Sequence, residues 1–129
     1  MNSAPPHQPF TINFVHEPEY LRAEVFGEQD SYQITALYWQ KIAEELDKTG
    51  YKKLLVVEML GENIEILDAI RAIRDRESRS FQGVKIAFFD MKQDHTATNS
   101  YGVAAAAHMG YDVEIFTDLH RAKEWLISE

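Results

Sequence analysis

The sequence predicts a small α/β domain in which a single-layer, mixed five-stranded sheet is accompanied by four helices, in the order β-β-α-β-α-β-α-β-α. Apolar runs of strand length recur along the chain, and a helical pattern of apolar residues follows each of them. A further short strand precedes the first run across a tight link. Because strands that alternate with helices favour right-handed parallel crossovers, we expect the later strands to be mainly parallel. The runs are Leu21 to Phe26, Leu54 to Leu60, Val84 to Phe89 and Val113 to Phe116.

The two strands nearest the N-terminus are predicted to form an antiparallel hairpin. The segment 10–15 begins with the apolar–polar alternation of a half-buried strand, and Pro18 interrupts it because proline cannot donate to a ladder. Residues 20–26 resume as the second strand. Three prolines in residues 1–9 predict a flexible tail, followed by a single domain over residues 10–129.

The helices are predicted from apolar residues at helical spacing and from their end signals. Leu54 to Leu60 hardly alternates, which is typical of a central parallel strand covered on both faces. Tyr38 falls on the apolar stripe of the first helix and is expected in the core, and Gly50 and Gly110 are expected to end the first and third helices. The predicted helices begin after Asp30, after Asn63, after Asp94 or Thr96, and after Thr117 or Asp118.

Composition excludes several classes of function. The chain has 129 residues and a formal net charge of −8, which disfavours nucleic acid as a partner because that affinity depends on basic patches. It has no cysteine, so disulfides, thiolate nucleophiles and cysteine zinc sites are excluded. No secretory signal and no apolar stretch of about 20 residues is evident, so we expect a cytoplasmic protein without a membrane span.

The sequence carries none of the motifs that mark common catalytic sites. The glycine-rich phosphate loop, the dinucleotide fingerprint and the nucleophile elbow are all missing, and no two histidines have metal-ligand spacing. We therefore expect no cofactor, no metal and no catalytic residue, that is, a protein that is not an enzyme.

The best candidate binding site lies at the carboxyl ends of the parallel strands, where open α/β sheets bind their ligands. Asp90, Asp94 and His95 could perform acid–base chemistry if they converged, which is the enzyme hypothesis. The alternative is a polar loop in which Asp94 caps the third helix. The candidate binding residues are Glu58, Met59, Glu62, Asp90, Lys92, Asp94 and His95.

Trp39 is a second kind of candidate. It falls near the edge of the apolar stripe of the first helix, where it could contact a second copy of the chain or line a lipid cavity. Packing at the boundary of the core is the structural alternative.

The segment from Val113 to Leu126, VEIFTDLHRAKEWL, resembles the closing strand and helix of STAS domains, most of all the SpoIIAA-like subgroup. The resemblance extends over residues 10–126 as a pattern of elements. It implies the same α/β fold and a non-enzymatic role in which a kinase partner is bound. In that family, binding is switched by phosphorylation of a serine in the turn before the second helix.

The chain departs from the family at that turn, which reads Leu60-Gly61-Glu62-Asn63-Ile64 and contains no serine or threonine. We therefore expect a STAS-like regulatory or protein-binding module that acts through a protein partner or as a homodimer, without the usual phosphoserine switch. The subgroup also resembles lipid-carrying CRAL-TRIO domains in layout. A carrier of a small apolar ligand, held in a cavity between sheet and helices, is the alternative hypothesis.

Overall fold

A computed structural model of the chain describes residues 10–27, 32–60, 81–90, 104, 107–108 and 110–128. Five strands and two complete helices lie within these ranges. They are β1 (Phe10–His16), β2 (Leu21–Gly27), α1 (Tyr32–Thr49), β3 (Lys53–Leu60), β4 (Lys85–Asp90), β5 (Asp112–Phe116) and α2 (Leu119–Ile127).

The strands form one mixed sheet whose spatial order, β1-β2-β3-β4-β5, is also their order along the chain. β1 and β2 pair antiparallel, which confirms the predicted hairpin. The pairs β2–β3, β3–β4 and β4–β5 are all parallel, as the alternation of strands and helices predicts. The mixed five-stranded sheet is therefore confirmed, with β1 at one edge and β5 at the other.

The helix ends follow from local sequence. Gly50 takes a positive φ of 79° and its N–H donates to the carbonyl of Leu46 at 2.8 Å, so glycine ends α1 as predicted. Of the two predicted caps for α2, Asp118 is the one used, and its carboxylate accepts from the N–H groups of His120 and Arg121. No helix in the described ranges is both long enough and apolar enough to cross a bilayer.

Two complete helices among the described residues do not confirm the predicted count of four. The second predicted helix falls on residues outside the described ranges, as does much of the third. Within the third, Ala104, Ala107 and His108 are helical. Gly110 follows them with a positive φ of 95°, as expected for a residue that ends a helix.

The sheet has an apolar core on each face. β3 contributes to both, because Leu54 and Val56 pack on the α1 side while Leu55 and Val57 pack on the α2 side. This alternation explains why the strand reads as an almost continuous apolar run. α1 adds buried residues to the first core, and α2 adds the buried Ala122 and Leu126 to the second. In the first core α1 contributes Ile34, Tyr38, Ile42, Ala43 and Leu46.

Candidate functional site

The carboxyl ends of β2, β3 and β4 lie side by side at one end of the sheet. Val25 pairs with Glu58, and Glu58 pairs with Asp90 on the next strand. Neighbouring strands are about 4.8 Å apart, so the backbone places these two acidic positions next to each other. This is the juxtaposition on which the predicted site depends.

Glu58 is the charged residue that the described core encloses, with only 2% of its surface exposed. The hydroxyl of Tyr38 on α1 donates to Oε2 of Glu58 at 2.6 Å. A buried carboxyl group requires such partners, because its transfer from water without hydrogen bonds is costly. The contact joins the middle of α1 to the end of β3, and the core position predicted for Tyr38 is confirmed.

The ring of Tyr38 is itself held by aromatic neighbours. Phe10 on β1 meets it edge-on with ring centroids 6.4 Å apart, and Trp39 lies against it at 5.5 Å. The hydroxyl is thus aimed at Glu58 by packing on both sides. The hydrogen bond from Tyr38 connects α1 to the end of β3 through the buried carboxyl group of Glu58. A contact between Glu58 and a bound molecule stays a prediction.

Met59 lies on the opposite face of β3 and is half-buried against the α2-side core. Its register partner on β2 is Phe26, which is 38% exposed. An exposed aromatic ring therefore stands beside a candidate residue at the strand ends. The sequence did contain a signal for Phe26, because the alternation that buries Val25 turns the next residue to the other face.

Other candidate residues follow the strand ends in the chain. Asp90 ends β4, and Glu62, Lys92, Asp94 and His95 lie outside the described residues. Neither the convergence that the enzyme hypothesis needs nor the capping role of Asp94 is tested. Both stay predictions from the sequence.

Trp39 is half-buried and packs among aromatic rings on the flank of α1 that faces β4. Its centroid lies 5.6 Å from that of Phe81 in an edge-on arrangement and 6.4 Å from that of Phe88 in a stacked one. These contacts agree with packing at the core boundary. A contact between Trp39 and another chain stays a prediction.

The described residues contain no group of three histidine, aspartate or glutamate side chains placed to hold a metal ion. Among them, Tyr20 at the end of the β1–β2 turn has a phenol whose pKa is clearly shifted by its surroundings. Burial raises the pKa of its phenol above 10.0, and the nearby Glu17 carboxylate raises it further.

No protein-family model matches the chain, and no curated protein matches it. The structure is similar to the crystal structure of an uncharacterized protein of the DUF3478 family from Shewanella loihica PV-4, which is described as having a SpoIIAA-like fold. The TM-score is 0.53 at 15% sequence identity, over 97% of this chain and 99% of the other.

The protein therefore has an α/β fold of the STAS or SpoIIAA-like kind, as the resemblance of its closing segment predicted. The similarity covers nearly the whole of both chains. At 15% identity it establishes the fold, and function has to be argued from this chain's own residues.

Proposed function

We propose that the protein is a non-catalytic STAS-like regulatory module that binds a protein partner through the carboxyl ends of β2 and β3. The observation that carries the proposal is the exposed ring of Phe26 beside Met59, in a chain that matches a protein with a SpoIIAA-like fold over 97% of its length. Aromatic residues and methionine are enriched in protein interfaces, and arranged together they provide an apolar contact.

The polar candidates have a place in this proposal as the rim of the interface. Glu62 follows β3 in the chain, and Lys92, Asp94 and His95 follow β4; the carboxyl ends of these two strands lie at the same end of the sheet. Both signs of charge occur among them. A mixed polar rim around an apolar centre is the ordinary composition of a non-obligate interface.

The proposed module has no phosphoserine switch in the segment after β3. That segment, residues 60–64, contains no hydroxyl side chain in its sequence, and Glu62 already supplies a negative charge there. Partner binding would accordingly be independent of a kinase acting on this segment. The absence of cysteine supports a reducing compartment, and we place the module in the cytoplasm.

Affinity capture from the native host tests the proposal. Tagged wild-type chain, Phe26→Ala and Ile127→Ala are compared by quantitative mass spectrometry; Ile127 is a suitable control because it is similarly exposed, at 44%, on α2. We expect a specific protein that wild type and Ile127→Ala retain and Phe26→Ala loses. Equal capture by all three chains contradicts the proposed surface.

Native mass spectrometry of the protein purified from its host tests the proposed binding module against the carrier hypothesis. A complex with a second protein, or a chain without ligand, agrees with a binding module. A small apolar molecule retained at one equivalent would contradict the proposal and favour the carrier hypothesis.

A further inference from the structure

β1 is an edge strand without the features that normally protect such an edge. Its sequence, FTINFVH, contains no lysine, acidic residue or proline, and all its residues pair with β2 without a bulge. Natural edge strands are usually guarded by charges, prolines or bulges, because unpaired backbone groups attract another strand. The opposite edge strand, β5, carries Asp112 and Glu114.

The hydrogen-bonding pattern shows which backbone groups of β1 face outward. The N–H of Glu17 donates to the carbonyl of Tyr20 at 3.1 Å, so this pair is hydrogen-bonded and bonded pairs alternate from there. Val15, Asn13 and Thr11 therefore direct their backbone groups to β2. The outward groups are those of Phe10, Ile12, Phe14 and His16.

We propose that β1 is a homodimer interface, at which a second copy of the chain adds its own β1 antiparallel and extends the sheet across a two-fold axis at Asn13. With the axis there, outward-facing Ile12 stands opposite Phe14 of the second copy, and Phe10 opposite His16. All the outward N–H and C=O groups then find partners. This surface is separate from the strand ends of the proposed function and does not depend on it.

Side chains in this register are self-complementary. Thr11 faces Val15, Ile12 faces Phe14, and Asn13 faces Asn13, so apolar and β-branched pairs form and no charge opposes a like charge. A chain with a net charge of −8 repels its copies elsewhere, and a strand free of acidic residues is where two copies can approach. These features favour a second copy over a foreign strand.

The flank of α1 above β1 agrees with this arrangement. Glu45 on that flank contacts His16 of β1 at 2.7 Å. In the dimer the two β2 strands are three strand spacings apart, about 14 Å. The flanks of the two α1 helices that carry Glu45 then face each other across the two paired β1 strands.

A pair of cysteine variants tests the register directly, since the chain has no cysteine of its own. In the proposed dimer the two Asn13 Cα atoms form a non-hydrogen-bonded pair about 4.5 Å apart, within the range that a disulfide spans. The two Thr11 positions are about 13 Å apart, beyond that range. Under mild oxidation we expect Asn13→Cys to form a covalent dimer and Thr11→Cys to remain a single chain. Equal cross-linking of both variants, or of neither, would overturn the register.

Sedimentation analysis of the untethered chain tests the interface without cross-linking. Asn13→Lys retains a partner for Glu24, which Asn13 contacts at 3.1 Å, but sets two lysines opposite each other in the dimer. We expect its dimer dissociation constant to rise by at least about tenfold. Gln82→Lys adds the same charge on the exposed turn before β4 and should leave dimerisation unchanged. A wild type that stays monomeric at all concentrations, or a folded Asn13→Lys that dimerises like wild type, would refute the proposal.

Discussion

Tyr38 and Glu58 show how one hydrogen bond can couple a helix to the end of a central strand. We predict that Tyr38→Phe lowers the free energy of unfolding by about 1–3 kcal/mol, because it removes a donor from an oxygen in a buried site. Chemical denaturation measures the change. Tyr51→Phe is the matched control: its hydroxyl donates to the carbonyl of Glu17 in a half-buried setting, and we expect about 0.5–1.5 kcal/mol. A larger loss for Tyr51→Phe would contradict the assigned importance of Tyr38.

Tyr20 gives the protein a predictable response to alkali. Its pKa is raised in the folded state, first by burial and then by Glu17, so the folded chain holds this proton more tightly than the unfolded chain. The resulting stability is fully present below the unfolded pKa of about 10 and is lost as pH rises through the higher folded value. We expect stability to fall above about pH 10, and to fall less in Tyr20→Phe. Identical profiles for the two proteins in denaturant titrations across this range would contradict the assignment.

At the scale of elements, Lys85 on β4 binds the C-terminal end of α2 to the sheet. Its Nζ donates to the carbonyls of Trp125 at 2.6 Å and Ser128 at 3.0 Å, and lies 4.4 Å from the centroid of the Trp125 ring. The positive charge also meets the negative end of the helix dipole. The short helix is thus held at one end by Lys85 and at the other by the cap of Asp118.

We predict that Lys85→Met lowers the free energy of unfolding by about 1–2 kcal/mol and lowers amide-exchange protection in α2. Methionine keeps most of the aliphatic stem, so the loss reports on the ammonium group. Lys53→Met is the control, since Lys53 is the register partner of Lys85 on β3 and makes none of these described contacts to α2. Equal effects of the two substitutions on α2 would contradict the role assigned to Lys85 in stabilising that helix.

The elements themselves were predictable from sequence because their signals are local. The predicted strand runs agree with the observed strands to within one residue at each end, since each is an apolar run between turn residues. Gly50 and Asp118 mark helix ends through backbone conformation and capping, which depend on near neighbours. The parallel order followed from the helical patterns that the sequence predicts between the strands.

The contacts of the candidate site were not predictable in the same way. The sequence placed Tyr38 in the core and Glu58 at a strand end, but no local pattern indicates that the two meet. Their separation of 20 residues is closed only when α1 packs on the sheet. The exposure of Phe26 likewise depends on which parts of the α2 face other elements cover, a property of the assembled fold.

At the scale of the whole molecule, the two cores share β3 and β4, so they should unfold together. Trp39 reports on the α1 side and Trp125 on the α2 side, and the chain has no other tryptophan. Leu126→Ala creates a cavity in the α2-side core. We predict that it lowers the free energy of unfolding by about 2–5 kcal/mol and shifts the unfolding midpoints of the Trp39 and Trp125 signals equally. Fluorescence in Trp39→Phe and Trp125→Phe backgrounds separates them. A shift confined to the Trp125 signal would show that the faces unfold independently.

The coincidence of sheet order and chain order also has a consequence during synthesis on the ribosome. Each strand from β2 onward pairs with one that has already emerged, so the sheet can grow by addition at a single advancing edge. The α2 side is different: among the described elements, Leu55, Val57 and Ala87 pack against α2, which is synthesised after all five strands. A nascent chain halted before α2 would lack the cover that Ala122 and Leu126 give these three residues, and uncovered apolar surface of this kind is what chaperones bind.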